Sequence, residues 1–163
     1  MAVGYSIQVS GQRIFSEKLK KRKEALVQAV QRGLIKAGFI IQAESQRNTP
    51  VDFGNLKASA FTVWEGFTPP APRFVDGEKG PSGEKVNADD LARDHQVAVE
   101  RGEGQTKGVR GPAVLVGHSA YYAIYVHENL NAHHTVGFAK FLETAVMSQQ
   151  DRITRAIVEE VIK

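Results

Sequence analysis

The chain has 163 residues, 42% hydrophobic and 24% charged, the balance of a single soluble globular domain large enough to bury a real core. It contains no cysteine, which excludes disulfides, Cys-ligated metal and thiol chemistry. No apolar run approaches the roughly 20 residues of a membrane-spanning helix, and the opening MAVGYSIQVS lacks the basic-then-apolar order of a signal peptide. The net charge of +3 is unevenly spread: Arg13 to Arg47 holds nine Lys or Arg against three Glu, and the remainder holds twelve basic and fifteen acidic residues.

Val3, Tyr5, Ile7 and Val9 alternate with smaller or more polar residues, the pattern of a half-buried strand, and Ser10-Gly11 reads as a turn. Ser16 can cap a long helix over about Glu17–Arg47. Its apolar face is Leu19, Leu26, Val30, Leu34, Ala37 and Ile41. A second row, Ala25, Ala29, Gly33 and Ala37, steps by four and is uniformly small, so another element can approach the backbone closely; these four residues are candidate interface positions. Lys18, Lys20, Lys21, Arg22 and Lys23 form a basic surface at the start of the helix. That surface is either a solvated helix end or a face toward nucleic acid or an acidic partner. The helix stops at Asn48-Thr49-Pro50, because a residue before proline is pushed out of the α region.

Val51-Asp52-Phe53-Gly54 reads as a turn, with Gly54 taking positive φ and Asp52 accepting backbone N–H bonds. Leu56 returns the chain to the core, and Leu56 and then Ala58–Glu65 read as a strand with Phe61 and Val63 on one face and Trp64 on the other. Residues 67–112 hold five of the six prolines and seven of the fifteen glycines. A loop of this length is uncommon inside a compact domain. The expectation is an extended insertion held by a neighbouring subunit, with a short helix over Asp89–Glu100, and dispensable for folding. Ala113–Gly117 reads as a buried strand, Ser119–Glu128 as a compact aromatic element, Asn129–Thr135 as a polar loop, and Gly137–Ile162 as one amphipathic helix. Its apolar face includes Phe138, Phe141, Leu142, Ala145, Ile153, Ile157 and Val161. The expected fold is α+β: one domain over 1–163, in which a small antiparallel sheet is packed on one face by the long N-terminal helix and a C-terminal helix, with a long inserted loop.

Signals for chemistry are weak. His127, His133 and His134 cluster in sequence, but adjacent histidines point apart and H-E-N is not the H-E-x-x-H of a zinc helix. Asp52 and Glu128 are carboxylates without a nucleophile placed beside them. Ser45, Ser59 and Ser119 have no G-x-S-x-G context. Gly77, Gly80 and Gly83 lack the G-K-[ST] ending of a phosphate loop. Tyr121, Tyr122 and Tyr125 lie in a stretch without Lys or Arg, which suits core or interface better than base stacking. Arg73, Lys79, Lys85, Arg93, Arg101, Lys107 and Arg110 are interspersed with acids, as on a salt-bridged surface. No catalytic residue, metal or cofactor is expected.

Three segments together resemble a known family. Thr49-Pro50-Val51-Asp52-Phe53-Gly54-Asn55-Leu56-Lys57-Ala58-Ser59 resembles the P-V-D-T-G-x-L-x-x-S signature of phage tail-completion or head–tail joining proteins, where it likewise follows a long helix. Tyr122-Ala123-Ile124-Tyr125-Val126-His127-Glu128 resembles their Tyr-Ala-x-Tyr-Val-x-Glu run, and Phe141-Leu142-Glu143-Thr144-Ala145 their Phe-Leu-x-x-Ala helix start. The order is the family's, and with the helices the resemblance covers 1–66 and 113–163. Phe53 stands where the family has Thr, Asn129 follows Glu128 in place of the commoner aromatic-Gly, and the 67–112 segment is longer.

The resemblance implies a non-catalytic virion protein at the head–tail neck, assembled in the host cytoplasm. It would form a ring of about six copies, contacting connector and tail-tube or tail-terminator proteins around passing DNA, and no membrane. Pro50, Asp52, Gly54 and Leu56 would then be turn residues with structural jobs, and Tyr122, Tyr125 and Glu128 interface candidates. Two alternatives stand beside this: a nucleic-acid-binding module using Lys18–Lys23, and a small hydrolase.

Overall fold

The structure, a computed structural model, describes residues 12–80 and 82–163; the strand expected at Val3–Val9 lies outside them. Among the described residues six helices and two strands run in the order α1 (Gln12–Asn48), α2 (Asn55–Ala58), β1 (Ala60–Val63), α3 (Ala88–Lys107), β2 (Leu115–His118), α4 (Ala123–Glu128), α5 (Phe141–Ser148) and α6 (Gln150–Val161). The fold is α+β. No helix among the described residues is long and apolar enough to cross a membrane.

The strands β1 and β2 pair antiparallel, Phe61 opposite Gly117 and Val63 opposite Leu115. Alternation then sends Phe61, Val63 and Leu115 to one face, and Thr62 and Val116 to the other. The long helix α1 lies on the Thr62 face at Gly38, where a Cβ would come within 2.8 Å of the Thr62 side chain. On the opposite face lies α3, at Gly102, where a Cβ would sit 2.9 Å from Val63. The sheet is therefore covered on both faces. This corrects the expected one-sided packing, and the second cover comes from within 67–112.

That segment is part of the fold. Phe74, Val86 and Leu91 are buried in the main core cluster, and Val99 packs with Phe61 and Val63. The helix α3 runs past the expected Glu100 to Lys107 and is capped by Asn87, whose Oδ1 accepts from Asp89 N at 2.8 Å. Gly77 and Gly83 take positive φ in a small turn closed by Gly80 N donating to Glu84 O at 2.8 Å.

The C-terminal elements pack mainly on α1, and Phe141 at the start of α5 also meets His118 of β2. The small-residue row is what admits them: a Cβ on Gly33 would come within 2.7 Å of Ile157 Cα, and Ala29 and Ala37 are buried. Glu160 clamps the pair, accepting from Lys163, Lys36 and Arg32, and these bonds hold its carboxyl down at about 2. The single helix expected over 137–162 is broken at Gln149. No glycine or proline marks the break, so apolar spacing reads through it. Ser16 does not cap α1: it lies inside the helix, and its Oγ donates to Arg13 O at 2.9 Å.

Candidate functional site

The three signature segments meet in one cluster. Leu56 from the turn, Tyr122 and Ala123 at the start of α4, and Phe141 at the start of α5 share a core with Phe74, Val86, Leu91 and Ala120.

The turn is built from its neighbours. Thr49 Oγ1 donates to Ser45 O at 2.7 Å and closes the last turn of α1. Gly54 has φ 89 and starts the single-turn helix α2, so Leu56 is helical where a strand was expected. Asn55 is fully buried, its amide donating to Val75 O at 2.7 Å while its Oδ1 accepts from Val75 N at 2.8 Å. A buried amide satisfied at both ends is a specific lock, and here it ties the turn to the 67–112 segment. Asp52, expected to organise the turn, is exposed; the bonds seen there run through Thr49, Asn55 and Ser59 instead. Gly54→Val is expected to lower stability by about 1–3 kcal/mol, through strain at positive φ alone, because nothing lies within 4 Å of its Cβ position. Phe53→Thr, at a half-exposed position, should leave the melting temperature near that of the wild type. Equal melting of wild type and Gly54→Val would contradict this.

Beside the turn, a cleft of about 450 Å³ is lined by Asp52, Glu78, Tyr122, Tyr125, His133 and His134 among others. Its floor is a buried pair: the Tyr122 hydroxyl donates to Glu78 at 2.6 Å. Burial and this bond together push ionisation of the phenol far above its usual range.

Under the turn lies His118. A carbonyl can only accept, so Nδ1 carries the proton toward Leu56 O at 3.0 Å, and Nε2 accepts from the fully buried Ser45 Oγ at 2.8 Å. The ring packs edge-on against Phe141, 4.9 Å between centroids. Burial lowers its pKa to about 4, assisted by His127 and opposed by the Leu56 carbonyl. In the unfolded chain the imidazole titrates near 6.5, so below that pH the unfolded state takes up a proton that the native state refuses. The stability this neutral imidazole contributes is complete above about pH 6.5 and is lost as pH falls toward 4. Urea unfolding at pH 5 should give a free energy about 2 kcal/mol below that at pH 7 from His118 alone. Burial lowers His95 in the same direction. An NMR titration of His118 centred near 6.5 in the folded protein would overturn the assignment.

A second serine–histidine pair joins Ser119 Oγ to His95 Nδ1 at 2.8 Å. Both are buried, and Ser119 Oγ also donates to Ser59 O at 3.3 Å. Neither histidine has a carboxylate on its other nitrogen: His118 meets the Leu56 carbonyl, and His95 Nε2 has no partner among the described residues. Asp52 and Glu128 line different clefts. Among the described residues, no three His, Asp or Glu side chains converge as a metal site.

The interface candidates divide. Gly33 and Ala37 are occupied by the chain's own C-terminal helices, and Tyr122 is internal, so these are not open to a neighbour. Ala29 is buried with them, whereas Ala25 and Tyr125 are exposed. Glu128 is half exposed and pairs with His127 and Lys140. Among the described residues, α1 runs on alone beyond Ala29: residues 13–28 are all exposed, an arm of about 24 Å at 1.5 Å per residue. It carries Lys18, Lys20, Lys21, Arg22 and Lys23 together with Phe15, Leu19 and Leu26, which are 70%, 57% and 49% exposed. Leu19 and Leu26 belong to the apolar face expected from the sequence; Phe15, which lay before the expected start of the helix, joins them because α1 begins at Gln12. Comparison with family models, with curated proteins and with solved structures finds no match for this chain.

Proposed function

We propose that this protein is a structural subunit of a tailed phage, forming a ring of about six copies where head meets tail. The observation that carries this reading is the convergence of the three signature segments, 49–59, 122–128 and 141–145, on one core around Leu56, Tyr122 and Phe141. Segments separated by tens of residues in sequence act there as one structural unit, so their resemblance to the neck proteins counts as one coherent pattern. The jobs of these residues are packing and turn formation, which suits a non-catalytic role. The exposed apolar arm of α1 suits a protein that completes its surface by assembly. The ring would sit between the connector and the tail tube, assembled in the host cytoplasm.

Disrupting the gene in its phage should leave filled heads and finished tails that fail to join, and gold-labelled antibody should mark the neck of wild-type virions. Normal joining in the disrupted phage would overturn the reading.

A further inference from the structure

The apolar seam of the arm is the same helix face that α6 covers lower down. At 100° per residue, Phe15, Leu19 and Leu26 fall in line with Gly33 and Ala37. Among the described residues, α6 packs on this face at Gly33, and the face is buried as far as Ala29 and exposed before it. An unpartnered helix of this length is marginal in water, and no acidic residue stands in its first turn to offset the helix dipole. The arm therefore calls for an apolar partner with negative charge at its rim.

The chain carries such a surface. A groove of about 360 Å³ runs between α3 and β2, with Phe61, Gly102 and Leu115 in its floor and Asp94, Val97, Arg101 and Tyr121 around it. Val97 is 63% exposed, and the Tyr121 hydroxyl donates to Glu84 at 2.7 Å, adding a second carboxylate at the rim. Around the groove the carboxylates of Asp94 and Glu84 stand against the single guanidinium of Arg101. From Arg13 to Glu24 the sequence holds six basic residues and two carboxylates. Two arms laid side by side would set like charge against like, whereas arm against groove pairs opposite signs. The arm cannot fill its own groove, because α1 lies on the Thr62 face of the sheet and the groove opens on the other.

We propose that the arm of one copy docks in the α3–β2 groove of the next, Phe15 and Leu19 entering beside Val97 while the Lys18–Lys23 cations meet Asp94 and Glu84. The contact is heterologous, so it repeats head to tail and closes into a ring when the rotation permits. It deepens the neck reading and rests on it only for that closure.

The absence of cysteine makes the test direct. Purified Leu19→Cys and Val97→Cys full-length chains, carrying tags of different mass, are mixed in a thiol–disulfide buffer and scored for covalent dimers. The expected result is a mixed 19–97 dimer that disappears when Phe15→Ser is added, with no change in melting temperature, and no dimer when Gln28→Cys, on the opposite face of the arm, replaces Leu19→Cys. Dimers linked 19–19 without 19–97, or no dimer at any concentration, would overturn the proposal. So would duplex DNA held by the arm in the absence of any 19–97 link. Virions lacking the protein at the neck would sink the neck reading and leave a 19–97 link standing, so the two failures are distinguishable.

Discussion

Replacing residues 69–110 with a Ser-Gly linker is expected to leave the chain unfolded. The replacement removes Phe74, Val86 and Leu91 from the main core and Val99 from beside Phe61 and Val63. At about 1.5–3 kcal/mol for each buried side chain, the loss is on the order of 10 kcal/mol, close to the whole stability of an ordinary domain. Shortening the connection returns little, because closure entropy changes slowly with loop length. The Asn55 amide would lose both of its bonds to Val75, leaving a buried polar group unpaired. Phe61, Val63 and Leu115 would face water on a two-stranded sheet, which is marginal without cover on its apolar face. Circular dichroism during heating should show no cooperative transition; a sharp one would mean that the two long helices and the sheet stand without α3.

That outcome is opposite to the dispensable insertion expected from the sequence, and the reason lies in one helix face. The buried positions of α3 are Leu91, His95, Val99, Gly102 and Thr106, at steps of four, four, three and four. The spacing is that of a packed helix, but three of the five residues are His, Gly and Thr, so an apolar count misses the stripe. Each is chosen by its contact. Gly102 lets the backbone approach Val63, and His95 lies edge-on to Phe61 and meets Ser119. Gly77, Gly83 and Gly111 around α3 take positive φ, and a composition this rich in glycine and proline has the signature of a loop.

Elsewhere the legible features were those fixed by local chemistry. Pro50 ends α1, Gly54 takes positive φ, and Phe61 and Val63 share a face, as their residue types require. The small-residue row of α1 was readable as a close approach, but spacing cannot say whose helix arrives. Here it is the chain's own α6, held by Glu160. Asn55 was illegible for a similar reason: an asparagine after a glycine reads as part of a turn, and nothing local announces a partner at Val75.

Gly137→Ala should be the most damaging single methyl added in the neighbourhood of the turn. Gly137 has φ 76, and its Cβ position lies 2.5 Å from Thr49 C and Pro50 N and 2.6 Å from Asn48 O. The obstructing atoms are all backbone, at the point where α1 ends, so no side chain can swing aside. The adjacent Phe138 N donates to Asn48 O at 3.0 Å, which fixes the loop against the turn. Strain at positive φ costs about 1–2 kcal/mol and overpacking about 1–3 kcal/mol more, giving about 2–5 kcal/mol in all. Gly66→Ala separates the two costs, because Gly66 has φ 80 with nothing within 4 Å of its Cβ position; it should lose only the strain, about 1–2 kcal/mol. Gly137→Ala should therefore have a clearly lower urea midpoint than Gly66→Ala. Equal midpoints would mean that the 129–140 loop can lift from the turn without cost. The contact would then not hold Phe141 and the turn in one fixed arrangement, and the rigid core uniting the three signature segments would have to be secured elsewhere.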